Sequence, residues 1–569
     1  MSLLLLLLGS ALPALAGAPS ADPDALHQAA QTELQRALTL RLPDQPAPYL
    51  ATFEVIDGQV VTAEARLGSL LSLDHGPYRT LRADVRVGSY QLDNTNFDVS
   101  FGEREGVVGR GLPTEDIEVA LRRELWLAAD QSYKGATEQY SARLSARKGR
   151  DGDKHPDSYL PAPPLRTAPL PVGTVDAAAM EARVLALTGA LSAWPGLEDG
   201  HAIGRDWTGV RFIASTDGSE AWLPTGFTAL AVTASARTAD GALLNNARWW
   251  VARDAAHLPT LDEMKAEVVE MATTLDASLK APVEEDYLGP VLFEGPAATE
   301  LFRQLLLDQL VGTPPAEAAP DPYNPGLAAP PPTARVGRRL LPDGWSVVDD
   351  AAAYPEAAGS YTHDFEGVPV ERVELIEDGV VRDLLMSRIP RLDLQRSNGH
   401  GRALGTERRG ALPAVVRVSP DRARSERALR KKALALARET GRPYVLVIRR
   451  LTPLALVEGT EFTWSGGEQL SGLTAPMEAY RLYPDGREEL VRGLQFVGVD
   501  VRVLRDIAAA GRVGDPIDMM DAGPGPGRYQ LGSVGGLPTT WMAPAVVITE
   551  LELRGSGGRE PRALSQPKP

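Results

Sequence analysis

The amino-acid sequence predicts an α+β protein of two domains. The N-terminal domain mixes helices with antiparallel sheet, and the C-terminal domain is strand-rich. Three observations carry this. Short apolar runs with partial period-2 alternation recur along the chain, and Asp-Gly pairs suited to tight hairpin turns separate many of them, at 57–58, 217–218, 240–241, 378–379 and 485–486. Helical spacing is confined to a few segments between blocks of strands, as expected for helices packed on antiparallel sheet. The length of 569 residues suits either two large units or about three or four smaller ones, and Pro-rich stretches interrupt the pattern twice.

Taken in order, residues 24–40 have the spacing of a helix. Strands are predicted over 49–56, 60–67 and 81–87, with Asp57-Gly58 turning between the first two. A long helix follows over 114–146, with Thr114 as its cap, Glu115 and Asp116 in its first turn, and Gly135 as a point of interruption. Residues 154–173 are Pro-rich and read as a surface crossing. A helix over 175–192 stops at Pro195. Strands return at 209–214, 221–223, 227–237 and 247–252, and an amphipathic helix over 260–279 closes a first domain of residues 19–282. The second domain, 283–560, opens with a strand at 287–294 and a helix at 297–311. The stretch 313–333 holds eight prolines and reads as an exposed loop, with a reach of roughly 65 Å at about 3.1 Å per residue if extended. Further strands are predicted at 368–376, 380–387, 414–418, 444–450, 477–482, 490–493 and 546–552, with one helix at 425–439. Residues 561–569 read as a disordered tail.

The net charge of −16 argues against general binding to a nucleic-acid backbone, which needs clustered Lys and Arg. The start, MSLLLLLLGSALPALAGAPSADP, holds an apolar run too short to span a membrane and followed by small-residue cleavage sites. Residues 1–18 are therefore expected to be a signal peptide, although no Lys or Arg precedes the run, and the mature protein is expected to be periplasmic or secreted. No later stretch has the length and purity of a transmembrane helix. The absence of cysteine excludes disulfides, thiolate metal ligands and Cys nucleophiles.

Zinc hydrolysis usually needs three protein ligands, and helical sites place two His one turn apart. The seven histidines are 27, 75, 155, 201, 257, 363 and 400, and no two lie within five residues of each other. A dispersed site remains open, with His363, Asp364, Glu366 and His400 converging on a carboxylate-bearing centre. No GxSxG elbow and no phosphate-binding glycine loop is present, and Gly523-Pro-Gly525-Pro-Gly527 lacks a continuous row of N–H donors. A dispersed Ser-His-Asp set and peptide binding at a free strand edge also stay open.

Several segments in order resemble the TldD/PmbA metallopeptidase-like family. They are VRVGSYQLDNTNF (85–97), LRRELWLAADQSYKGA (121–136), YLGPVLFEGPAATEL (287–301), EGVPVERVELIEDGVVRDLLMSR (366–388), RSNGHGRA (396–403), YRLYPDGREELVRGLQF (480–496) and MAPAVVITELEL (542–553). The resemblance implies a two-domain architecture and two-fold or heterodimeric assembly. In active members it implies a helix bearing HExxxH, a later Cys completing the zinc site, a general-base Glu and unfolded or extended peptide substrates.

Here the matching helix is 297–311, which places Arg303, Gln304 and Asp308 at positions of the metal motif. Arg303 has no lone pair to offer a metal, Gln304 has no basic carboxylate, and no Cys exists. The departure resembles the PmbA-type subunit, so no metal, cofactor or catalytic residue is assigned. The chain is expected to bind peptides without cutting them, as a homodimer or beside a TldD-type catalytic subunit. An active peptidase with a non-standard site, with His363 and His400 as first candidates, and a structural envelope protein are the alternatives. His363, Asp364, Glu366, Asn398 and His400 are the candidate substrate-binding residues. The competing reading has Asp364 and Glu366 shaping a turn at Gly367, and Asn398-Gly399 simply turning the chain.

Overall fold

The computed structural model describes residues 23–98, 106–148, 154–318, 334–453, 472–521 and 536–555. The expected signal peptide, the tail, the 523–527 loop and residues 319–333 of the Pro-rich 313–333 stretch lie outside them. The fold is α+β, with helices layered on strand-rich sheets.

The first sheet has six antiparallel strands. They are β1 (Pro48–Arg66), β2 (Ser69–Val87), β3 (Val107–Gly111), β4 (Leu197–Ser215), β5 (Glu220–Arg237) and β6 (Leu243–Ala252), in the order β3-β2-β1-β4-β5-β6. Alternation along these long strands gives the sheet two unlike faces. One face is apolar and covered by helices. Phe53, Val55, Ala83, Val85 and Phe212 pack under α1 (Pro23–Ala37) and α2 (Glu118–Arg147). Further along the same strands, Val61, Ala63, Ala65, Val232 and Ala234 pack under α3 (Ala177–Ala190) and α4 (Leu261–Lys280). One sheet therefore carries two separate cores side by side.

Asp57-Gly58 is not a turn. β1 runs straight through it, and the chain reverses at Leu67-Gly68, whose φ values are 47° and 83°. The glycine serves a different purpose. Gly58 faces Gly209 across the β1–β4 ladder. A Cβ on Gly58 would sit 2.5 Å from the Thr208 carbonyl oxygen, and one on Gly209 would sit 2.6 Å from that of Asp57. Only glycine on both strands allows so close an approach. Four other Asp-Gly pairs, at 217–218, 240–241, 378–379 and 485–486, do turn the chain, with positive φ at each glycine, whereas Asp199-Gly200 lies inside β4.

Helix ends follow side-chain capping in part. Thr260 accepts from the Glu263 N–H while Glu263 reaches back to the Thr260 N–H, a full capping box on α4. Ser425 caps α6 (Glu426–Glu439). Thr114 does not cap α2. That helix starts three residues after the expected cap region, behind Ile117, without a side-chain cap, and Gly135 lies buried inside it without breaking it.

Two further large sheets use residues 287–555. One is β14-β13-β12-β7-β19-β15, built from β7 (Tyr287–Phe293), β12 (Val445–Leu451), β13 (Pro476–Leu482), β14 (Glu488–Val491), β15 (Leu494–Phe496) and β19 (Pro544–Gly555), with β16 (Ile507–Val513) also pairing with β19. The other is β10-β9-β8-β11-β18-β17, built from β8 (Trp345–Asp349), β9 (Val373–Glu377), β10 (Val380–Val381), β11 (Val415–Pro420), β17 (Ile517–Asp521) and β18 (Leu537–Met542). These sheets are not built of hairpins alone, because β7–β12 and β11–β18 pair in parallel. The strands expected over 368–376 and 380–387 shrink to β9 and β10, since the flanking residues hydrogen-bond into loops.

α5 (Pro296–Leu310) packs against both sheets through Leu301, Leu305, Leu306 and Leu310, and α6 covers the outer face of the first through Leu429, Ala433 and Ala437. The Pro-rich crossing at 154–173 is not wholly superficial. Ser158 and Tyr159 are buried, and the Leu160 N–H donates to the Arg388 carbonyl. The described start of the 313–333 stretch returns to the first sheet's side of the molecule, where Glu317 pairs with Arg143 and Arg147.

Candidate functional site

The bare face of the first sheet, opposite its helices, looks onto loops of the C-terminal half. Between them lies a cavity of about 1250 Å³. Glu54 and Ile56 on β1, Arg82 on β2, and Arg205, Trp207, Gly209 and Arg211 on β4 line it, at every second position of β1 and β4. Tyr361, His363, Phe365 and Arg402 close it from the other side.

Charge is dense there. The buried Glu54 carboxylate is held between the guanidinium groups of Arg211 and Arg409. Arg211 also lies 3.5 Å over the Phe365 ring. Arg82 donates to the carbonyl oxygens of Gly405 and Glu407, at 2.7 and 2.8 Å. Arg402 donates to those of Pro413 and Pro538, at 3.0 and 2.8 Å, and sits 5.0 Å over the Tyr361 ring. Burial lowers the pKa of Arg82 and of Arg402, and both stay protonated as guanidinium groups do. Burial pushes Arg409 down to about 10, and the Glu54 carboxylate beside it favours the charged form at neutral pH.

Of the five candidate residues, only His363 lines the cavity. It is half-buried, and burial of part of its ring lowers its pKa. Asp364 is fully buried and accepts from the N–H groups of Glu366, Val368 and Gly401, at 2.9, 2.9 and 2.8 Å. Glu366 accepts from the Arg388 N–H at 2.6 Å. The two carboxyl groups flank Gly401, where a Cβ would lie 2.3 Å from Glu366 Oε2 and 3.0 Å from Asp364 Oδ2. Burial, then the neighbouring Glu366, pushes Asp364 up to about 8 against the opposing pull of its three amide donors, and burial raises Glu366 as well. Asn398 bridges the Met386 N–H and the Leu384 carbonyl. His400 is buried, with Nδ1 2.9 Å from the Asn398 carbonyl and Nε2 3.6 Å from Asp349 Oδ1. The structure thus brings Asp364, Glu366, Asn398 and His400 together as a scaffold behind the cavity wall, and Gly367 turns there with φ 77°.

On α5, Arg303 is buried in an ion cluster. Its Nη2 lies 2.5 Å from Asp521 Oδ1 and its Nη1 3.1 Å from Glu300 Oε2. The Thr539 hydroxyl completes the cluster by donating to Asp521 at 2.5 Å. Gln304 spends its amide on Glu300 and on Thr474. Asp308 has its own interactions. These groups do not fit a zinc ion. Arg303 offers no lone pair, the nearby carboxylates are already neutralised by it, and no group of three His, Cys, Asp or Glu among the described residues is placed to hold a metal. The arginines and aromatics of the cavity escaped sequence reasoning, although Arg205-x-Trp207-x-Gly209-x-Arg211 is a period-2 pattern that could have marked one face of β4.

Residues 290–433 match the family described as the PmbA/TldA metallopeptidase C-terminal domain. The chain carries a TldD/PmbA-family C-terminal domain over these residues. Three solved structures share its fold. TldE from Thermococcus kodakarensis aligns with a TM-score of 0.60 at 12% identity, over 93% of this chain and 100% of its own. A protein from Thermotoga maritima described as a candidate modulator of a DNA gyrase aligns at 0.57 and 14%, over 89% and 96%. A counterpart from Bacteroides thetaiotaomicron with a similar description aligns at 0.56 and 11%, over 93% and 98%. No curated protein matches by sequence. Among the described residues of the chain, no helix is long and apolar enough to cross a membrane.

Proposed function

We propose that this TldD/PmbA-family protein binds extended peptides in the cavity without cleaving them, as a homodimer or as the partner of a TldD-type catalytic subunit. The observation that carries the reading is the Glu300–Arg303–Asp521 cluster. Where the family resemblance expects metal ligands, the helix buries a cation and the acids that neutralise it. A bound cation there would face Arg303 at short range, and like charges at such distance in a buried site repel strongly. The cavity supports the peptide part. It is enclosed on one side by sheet and on the other by loops, and it mixes aromatic walls with fixed donors, as ligand sites do.

The deciding experiment is purification from the native host, followed by metal analysis, identification of co-purifying chains and retention of extended peptides. Substoichiometric zinc together with peptide retention is expected. Stoichiometric metal, lost to a chelator together with peptidase activity, would overturn the reading. The alternative of an active centre at His363 and His400 gains nothing from the geometry, because one imidazole lines the cavity while the other is buried against Asp349. We also propose export to the periplasm or medium, tested by N-terminal sequencing of the mature chain. A start at Met1 in the cytosolic fraction would refute it.

A further inference from the structure

The cavity reverses the sign of the whole chain. The protein carries a net charge of −16, yet the walls of this cavity hold Arg82, Arg110, Arg205, Arg211, Arg253 and Arg402 against Glu54, Asp206 and Asp254. The three acids are already engaged. Glu54 is shared by Arg211 and Arg409. Asp206 accepts from the Thr228 hydroxyl at 2.6 Å, and Asp254 from His257 at 2.7 Å. Several cations have no carboxylate within ion-pair distance among the described residues. Arg205 makes no ion pair among the described residues, and its Nε is buried without a partner. Arg402, 3% exposed, is hydrogen-bonded only to carbonyl oxygens, and its Nε is also unpartnered. Arg82 is in the same state. A buried guanidinium held by neutral oxygens alone keeps much of its desolvation cost, and a ligand anion would relieve it. The Tyr361 and Phe365 rings beside Arg402 exclude water and hold the guanidinium plane.

We infer that the cavity selects peptides bearing carboxylates, which would meet Arg205 and Arg402 as charge-assisted, fork-to-carboxylate pairs. This rests on the peptide-binding reading and deepens it by naming the chemical class bound.

The test uses the full purified chain and three fluorescent peptides of equal length with amidated C-termini. One carries Asp and Glu, one has Asn and Gln in their place, and one has Lys. The acidic peptide is expected to bind about tenfold or more tightly than its amide counterpart, with the ratio shrinking as salt rises. Arg205→Gln and Arg402→Gln are each expected to lower that ratio by about fivefold, in line with loss of one charge-assisted contact. Arg205 is only half-buried, so its variant remains informative if Arg402→Gln folds poorly. A fourth peptide, neutral but with a free C-terminus, reads the terminal carboxylate. A tenfold gain over its amidated form assigns the preference to that group instead of the side chains. Equal binding of acidic, neutral and terminal forms, or a ratio undiminished in Arg205→Gln, overturns the inference and leaves peptide binding standing. Failure of every peptide to bind overturns both.

Discussion

Replacing Arg303 by methionine removes the cation of a buried cluster and leaves its acids. Arg303 is 6% exposed and Asp521 2%, and the two are 2.5 Å apart, with Glu300 at 3.1 Å from the same guanidinium. At an effective dielectric constant near 20, unit charges about 3 Å apart attract by roughly 5 kcal/mol before desolvation is counted. Breaking a buried pair from one side typically costs about 3–5 kcal/mol, because the surviving charge is stranded. Arg303→Met is therefore expected to lose about 3–5 kcal/mol. Adding Asp521→Asn to it removes one stranded acid, so the double variant should lose less than the sum of the singles, by about 1–3 kcal/mol. Urea unfolding followed by tryptophan fluorescence reads this, since fully buried Trp541 lies on β18, next to β17 and its Asp521. A loss below about 1 kcal/mol for Arg303→Met, or additivity within about 0.5 kcal/mol, would show that the cluster is solvated and does not act as a buried unit.

Other consequences follow from the same geometry. Because burial and the neighbouring Glu366 push the folded Asp364 up to about 8 from an ordinary value near 4, the folded state binds the extra proton between those values. Stability should therefore fall with rising pH across that window, by at most about 1.4 kcal/mol per unit, and Asp364→Asn should flatten the slope of urea midpoint against pH. An unchanged slope would assign the titration elsewhere. Alanine at Gly58 or Gly209 should each cost about 1–3 kcal/mol in urea unfolding, as overpacking does, whereas a cost near zero would mean that the ladder relaxes freely. His257 bridges Asp254 and Glu356 at 2.7 Å each, and the Asp254 hydrogen bond is the main cause of its raised pKa. Its contribution is present below the ordinary His value near 6.5 and is lost as pH rises through the higher folded pKa. Being exposed, it is worth less than about 1 kcal/mol. Hydrogen exchange in residues 253–257 should accelerate at pH 9 beyond the intrinsic rate, and equal protection at pH 6 and 9 would count against the bridge.

Much of the fold was readable because its signals are local. The helix expected over 260–279 forms as Leu261–Lys280 from its own spacing, and Asp217-Gly218 predicts a reversal from two residues. Asp57-Gly58 misled because the same dipeptide serves a neighbouring strand that the sequence brings back some 150 residues later. The glycine is there to omit a side chain rather than to permit a positive φ. Arg303 and Gln304 stand out in the sequence by their own chemistry, yet their partners Asp521 and Thr474 lie too far along the chain to be paired with them by inspection. The cavity was hidden for the same reason. Arg211 and Glu54 belong to one sheet, whereas Phe365, Arg402 and Arg409 arrive from the other half of the molecule.

The uninterrupted passage of β1 and β4 through the Gly58–Gly209 crossing has a consequence for how such a protein can vary in length. Side-chain direction alternates with period two, so one residue inserted or deleted near the crossing would invert everything beyond it. Val61, Ala63 and Ala65 would leave their core for the bare face, while polar neighbours would be driven beneath α3 and α4. Changes of even length would preserve facing but would move a side chain into the crossing itself. The sheet is thus frozen in length at its centre, and lineages carrying it can gain or lose residues only at its ends and in the loops between elements.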